Sequence, residues 1–253
     1  MSRGWKYAAA SVIGTSHLKS SDGECQDSHC FLYDSKRDLF VCAVSDGAGS
    51  AVFSALGSQL ASSLAVERVS KSPDEVLHQP ELARDTLTTI RNELINKAEG
   101  AGAPLRDFAT TLLVAIIHAS TVTFWQIGDG AMCFRFRGED HFSYAFWPAK
   151  GEYANVTQFI TDENFLDELE FDSTRADIVD LAVFTDGLER LALDFKAGEA
   201  HTKFFTGLFP YLHAQSPGHL FDIESKLEQF LSSDRVNSKT DDDKTLVLAT
   251  TQD

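Results

Sequence analysis

Basic residues are the scarce class in this chain: 22 Lys and Arg stand against 38 Asp and Glu, a formal charge of −16 at pH 7. A surface of that sign repels nucleic-acid phosphates and anionic lipid headgroups, so neither nucleic acid nor membrane is an expected partner. Cysteine is also sparse. Cys25, Cys30, Cys42 and Cys133 have neither the density of a disulfide scaffold nor a Cys-x-x-Cys pair, and reduced thiols are expected. A zinc site from Cys25, His29 and Cys30 is disfavoured because no second ligand pair exists. Long apolar runs are missing as well. The longest aliphatic one, Leu112 to Ile117, is far too short to cross a bilayer, and Met1-Ser-Arg-Gly-Trp-Lys-Tyr7 offers no signal-like apolar stretch, so a cytoplasmic protein is expected. No Gly-x-x-x-x-Gly-Lys-Ser/Thr loop and no Gly-x-Ser-x-Gly elbow occurs, which counts against a phosphate-cradling loop and a serine hydrolase.

What is present is an ordinary 43% of hydrophobic residues, enough for a sizeable core, with no repeat or low-complexity linker to divide it. One domain over residues 1–253 is expected. Trp5 to Ile13, Ser28 to Tyr33 and Leu39 to Ser45 read as strands. From Ser50 to Ser70 the spacing turns helical, with Val52, Leu56, Leu60, Leu64 and Val69 forming an apolar stripe and Ser and Glu opposite. A second helix opens at Asp74 or Pro80 and runs to about Ala98, closed by Gly100 and Gly102. Thr110 to Ala119, Thr121 to Ile127, Ala131 to Arg137 and His141 to Phe146 form a β-meander. Between Trp147 and Asp177 the pattern weakens to a loop with a short helix. A strand Ile178 to Thr185, helical patterns from about Ala200 to His213 and His219 to Leu231, and a last strand Thr245 to Thr250 complete the order. The expected class is α+β, a four-layer α/β/β/α sandwich of two mainly antiparallel sheets flanked by helices.

Four segments set an aspartate beside glycine or another carboxylate at the edge of an apolar run: Val41 to Gly49, Ile127 to Gly130, Val183 to Gly187 and Thr240 to Thr245. Each strand end fixes one hard oxygen donor, and the glycine lets the backbone turn sharply and an ion approach a carbonyl. Converging in space, they would form a site for divalent cations. A solvated turn carboxylate is the plain reading of any one of them, but less so of all together.

Gly14-Thr-Ser-His17, Cys25-Gln-Asp27, Asp46-Gly47, Phe108-Ala-Thr-Thr-Leu112, Gly128-Asp-Gly130, Thr185-Asp-Gly187 and Asp242-Asp-Lys-Thr245 together resemble, in kind and order, the metal-dependent protein phosphatase 2C family, especially its compact bacterial members. The resemblance runs from about residue 10 to 250. It implies a β-sandwich flanked by helices with two or three Mg²⁺ or Mn²⁺ ions at one sheet edge, hydrolysing phosphoserine and phosphothreonine by a metal-activated water. Asp46 resembles the carboxylate bridging two ions, with the Gly47 carbonyl a further ligand. Asp186 and Asp242 resemble ligands of the first ion, Asp129 with Asp186 the holder of a third, and Asp27 the carboxylate that orients water. Asp27, Asp46 and Asp186 are thus the expected catalytic residues. Phosphorylated proteins, a kinase or its substrates, are the implied partners, and a monomer is expected.

Three departures from the family pattern bear on efficiency. No arginine lies between Ser11 and Asp27 to grip phosphate, leaving His17 and Lys19 as the nearest cations. Ala48 stands where a histidine general acid is often found, and Gln26 where glutamate is common. Two alternatives therefore stay open: a catalytically weak or silent phosphatase-like module that regulates a partner, and a metal-dependent hydrolase of small phosphate esters. The segment from Gly151 to Thr157 resembles the flap of bacterial relatives, which would shape protein-substrate access.

Overall fold

The computed structural model describes residues 4–19, 23–148 and 157–251. The first half of the chain runs β1 (Lys6–Val12), β2 (Ser28–Asp34), β3 (Leu39–Ser45), α1 (Ser54–Lys71), α2 (Pro80–Ala101), β4 (Leu112–His118) and β5 (Thr121–Ile127). It continues with β6 (Ala131–Phe136), β7 (Ser143–Tyr144), β8 (Glu170–Arg175), β9 (Ile178–Phe184), α3 (Glu189–Ala192), β10 (Leu193–Asp194) and β11 (Glu199–Ala200). The last part is α4 (Thr202–Thr206), α5 (Phe209–His213), β12 (Gly218–His219), α6 (Phe221–Leu231), α7 (Asp234–Asn237) and β13 (Lys244–Thr250).

Two sheets hold most of the strands: β12-β1-β13-β9-β6-β7, antiparallel except for β12 with β1, and the fully antiparallel β2-β3-β4-β5-β8. Period-two alternation builds the layers. In β3, Leu39, Val41 and Ala43 face α1 and α2, while Phe40, Cys42 and Val44 face the other sheet. In β13, Leu246 and Leu248 pack with α5 and α6, while Val247 and Ala249 point between the sheets. The expected four-layer sandwich is what forms. All four cysteines are free thiols, and no helix among the described residues is long and apolar enough to cross a membrane.

Three local expectations differ from the structure. The stripe assigned to α1 is only partly its inner face: Val69 is buried and Leu60 and Leu64 pack on the core, but Val52 and Leu56 are 71% and 38% exposed, whereas Ser54, Gly57, Ser58, Ala61, Ser62 and Ala65 are buried. Small side chains let this helix lie close to the sheet. A Cβ on Gly57 would come within 2.4 Å of the Phe108 carbonyl oxygen, and Ser58 Oγ donates to the Gln26 carbonyl at 2.5 Å. In the weak region, Asp162 to Asp167 forms turns without a helix, and Glu170–Arg175 is an edge strand paired with β5. Its charged, largely exposed residues hide the alternation that would betray a strand. Finally, the helical pattern from Ala200 to His213 is two short helices, the second opening with Pro210 in its first turn.

Away from the sheet edge that carries the acidic motifs, Asp180 lies 1% exposed among polar partners: Arg135 Nε at 2.8 Å and Nη2 at 2.5 Å, His213 Nε2 at 3.0 Å and Thr250 Oγ1 at 2.6 Å. Removing one charge of such a buried pair typically costs about 3–5 kcal/mol, because the other stays desolvated. Asp180→Asn is expected to lower the unfolding free energy, read from urea titration, by that amount while leaving turnover of the still-folded protein intact. A loss under about 1 kcal/mol would show that the pair is solvent-screened.

Candidate metal centre

Strand register gathers the acidic segments. In the first sheet, Phe184 at the end of β9 pairs with Ala131 at the start of β6 and Leu246 at the start of β13. The residues just beyond, Asp186, Asp129 and Asp242, therefore leave the sheet at one edge. In the second sheet, Ser45 at the end of β3 pairs with Ser28 at the start of β2, and Val44 with Leu113 of β4. Asp46, Asp27 and the Thr110-Thr111 pair follow at the corresponding edge.

Carboxylate oxygens of Asp46, Asp129 and Asp186 lie within 4.8 Å of one another. Burial pushes Asp46 well above the ordinary carboxylate range, reinforced by the charges of Asp27, Asp186 and Asp129. Burial and the charges of Asp129 and Asp242 raise Asp186 to about 7. Asp27, 6% exposed, is pushed up to about 8, by burial first and then by the charge of Asp243. Asp242 is raised too, chiefly by burial. It stands outside the 4.8 Å trio but borders the same cleft as Asp186.

A backbone clamp holds Asp46. Its N–H donates to Thr111 Oγ1 at 2.9 Å, and its carbonyl accepts from Thr110 Oγ1 and the Thr111 N–H, both at 2.9 Å. This is the physical role of the Phe-Ala-Thr-Thr-Leu motif. Asp129 Oδ2 accepts from Thr157 Oγ1 at 2.8 Å, and the turn that carries it is tied down by Gly130 N–H donating to Glu189 Oε1 at 3.1 Å. Thr185 Oγ1 donates to Asp27 Oδ2 at 2.7 Å and accepts from the Thr245 N–H at 3.0 Å.

The residues fit a hard divalent cation. Asp27 Oδ1 and Asp186 Oδ1 are buried and meet no hydrogen-bond donor, and the trio is all oxygen, the donor set suited to Mg²⁺ or Mn²⁺. Gathered this closely, carboxylates repel one another until a cation neutralises them.

Sequence reasoning passed over two residues. Asp243, 3% exposed, accepts from the N–H groups of Gly14 and Gln26, both at 2.6 Å, and lies 3.1 Å from His17 Nδ1. Glu189 anchors the Asp129 turn. The run Asp241-Asp242-Asp243 signalled acid without saying which carboxylate turns inward. His17 is positioned by Asp243, its Nε2 near Gly49. The Lys19 side chain and residues 151–156 of the flap segment lie outside the described residues.

An acidic, all-oxygen cluster at the common edge of two stacked antiparallel sheets makes a centre suited to hard divalent cations. Residues 13–232 match the protein phosphatase 2C family, and the chain belongs to that family. It is 38% identical over 251 residues to serine/threonine-protein phosphatase 3 of Escherichia coli (strain K12), covering 97% of this chain and 98% of that one. Its fold is similar to that of a bacterial serine phosphatase, with TM-score 0.66, 14% identity and 97% of each chain covered. Stp1, the serine/threonine phosphatase of Staphylococcus aureus, gives TM-score 0.64 at 14% identity, covering 96% of this chain and 94% of its own.

Proposed function

We infer that this chain is a metal-dependent serine/threonine phosphatase acting on phosphorylated proteins, with residues 1–253 as one catalytic domain. The observation that carries the reading is the meeting of Asp46, Asp129 and Asp186 oxygens within 4.8 Å, in a chain of this family. Two or three Mg²⁺ or Mn²⁺ ions are proposed, held by Asp46, the Gly47 carbonyl, Asp129, Asp186 and Asp242. When bound, such ions supply Lewis acidity: they make water a better nucleophile at neutral pH and offset charge on the phosphoryl oxygens.

The chain's own groups do the rest. Asp46 is central, since the charges of Asp27, Asp129 and Asp186 all bear on it, and its clamped backbone fixes its aim. Asp27 offers one oxygen to Thr185 and leaves the other open, in a site where burial makes it a ready proton acceptor. His17, its Nδ1 committed to Asp243, is proposed to meet substrate phosphate through Nε2, with Lys19 beside it in sequence. The reaction is hydrolysis of a phosphomonoester to the free hydroxyl and inorganic phosphate. The acidic trio and the named serine/threonine phosphatase relative favour the enzyme over the silent-module alternative, whose only motive is Ala48 and the missing arginine. A cytoplasmic location, a monomeric state and a kinase or its substrates as physiological partner are proposed with it.

The test is hydrolysis of phosphoserine, phosphothreonine and phosphotyrosine peptides with and without Mn²⁺. Release of phosphate from the first two, abolished by chelation and restored by Mn²⁺, is the expected result. Metal binding without turnover on any substrate would overturn the enzyme reading in favour of a binding module.

A further inference from the structure

Beside the acidic trio lies a cleft of about 350 Å³ whose walls are the segment from Asp186 to Arg190 and the loop from Asn237 to Asp242. Two cations line it, Arg190 and Lys239, in a protein where acidic residues outnumber basic ones 38 to 22. Both are exposed, and neither side chain makes a hydrogen bond or ion pair with another described residue. Several other arginines among the described residues are occupied by carboxylates: Arg37 with Asp74, Arg135 with Asp180 and Arg137 with Asp177.

The walls are firmly built. Glu189 turns inward to Gly130, which leaves its neighbour Arg190 facing out into the cleft. Opposite, buried Lys244 donates from Nζ to Asn237 Oδ1 at 3.0 Å and to the Asp242 carbonyl at 3.1 Å. Ser16 holds the Asp241 carbonyl through its N–H at 2.9 Å and its Oγ at 2.7 Å, and the Lys239 N–H donates to the Val236 carbonyl at 2.8 Å. Lys239 thus stands on a loop tied at both ends.

We propose that Arg190 and Lys239 form a subsite for a carboxylate that flanks the phosphorylated residue of a protein substrate, and so set a preference for acidic phosphopeptides. This rests on the phosphatase reading above. Asp186 and Asp242 border the cleft, whereas Asp46 and Asp129, which meet Asp186 within 4.8 Å, do not line it. A peptide whose phosphate is held at the trio would therefore lay its neighbouring residues, not its phosphate, along this cleft. With Asp186 and Asp242 committed to cations, the charges left there are Arg190 and Lys239 against Asp241 alone. The local sign is positive on a protein that is otherwise strongly negative. Long, unpaired, solvated cations suit a flanking carboxylate, which tolerates variation in position.

The test compares wild type, Arg190→Ala/Lys239→Ala and Arg190→Lys/Lys239→Arg in Mn²⁺ on three substrates: a phosphothreonine peptide with Asp and Glu neighbours, the same peptide with Ala neighbours, and p-nitrophenyl phosphate. The double alanine variant is expected to raise KM for the acidic peptide about five- to tenfold, the sum of two exposed charge pairs, with kcat unchanged. KM for the other two substrates should shift less than about twofold, and the charge-preserving variant should restore most of the loss. The wild-type preference should fade as salt is raised. An unchanged KM for the acidic peptide, or an equal loss on p-nitrophenyl phosphate, would overturn the subsite. Failure of the wild type on all three substrates would instead strike the phosphatase reading itself.

Discussion

Asp186→Asn is expected to silence the enzyme while making its metal-free form more stable. The two effects share one cause. Asp186 is held at about 7 in the folded chain against an ordinary 3.8, by burial and by the charges of Asp129 and Asp242. Between those values the folded state keeps a proton that the unfolded chain has released, so metal-free stability falls as pH rises through that window and the full cost is present above it. Asparagine keeps the shape and removes the charge. At pH 8 without metal the variant should therefore be more stable by about 1–3 kcal/mol, or roughly 3–8 °C in Tm for a chain of this size. The difference should close below pH 4, where both states carry the proton. Turnover should fall roughly 10³-fold or more, since several kcal/mol of charge stabilisation leave with the ligand. Thermal melts across pH with chelator, beside Mn²⁺-dependent turnover, check both halves. A variant less stable than wild type at pH 8, or one with full activity, would contradict this account of the cluster.

Gly187→Ala should do the opposite, damaging the fold and the site together. A Cβ at Gly187 would stand 2.0 Å from the Asp243 carbonyl oxygen and 3.2 Å from its carbon, and these are backbone atoms beside β13 that no rotamer change can move. The walls carrying Asp186 and Asp242 must then separate. A cost of about 3 kcal/mol or more is expected, together with a drop in Tm of roughly 6–12 °C and at least about tenfold weaker Mn²⁺ binding. Calorimetric melting and a Mn²⁺ titration would expose the error if Tm moved less than about 2 °C and metal affinity held.

Much of this architecture could be read from the residues because alternation and burial coincide. Leu39–Ser45 and Thr121–Ile127 are strands with the bounds their apolar runs suggest, and α2 buries Leu87, Ile90 and Leu94 as its spacing requires. Where polarity and burial part company, the pattern misleads. In α1 much of the buried side is serine, alanine and glycine, chosen for closeness to the sheet rather than for greasiness, so the stripe from Val52 to Val69 marked only the flank and the far end of the inner face. In β8 an exposed edge leaves no stripe to see. At the site, the Asp-Gly pairs were legible because a sharp turn at a strand end leaves a chemical signature in sequence. Asp243 was not, because its importance lies in partners more than two hundred residues away.

That distance has a consequence for how the protein comes into being. β13 inserts between β1 and β9, and the aspartate at its head holds the loops that follow β1 and precede β2. In any folding order, β1 stays unpartnered on that side until residues 244–250 dock. A site built this way is complete only once the late strand has slotted into place.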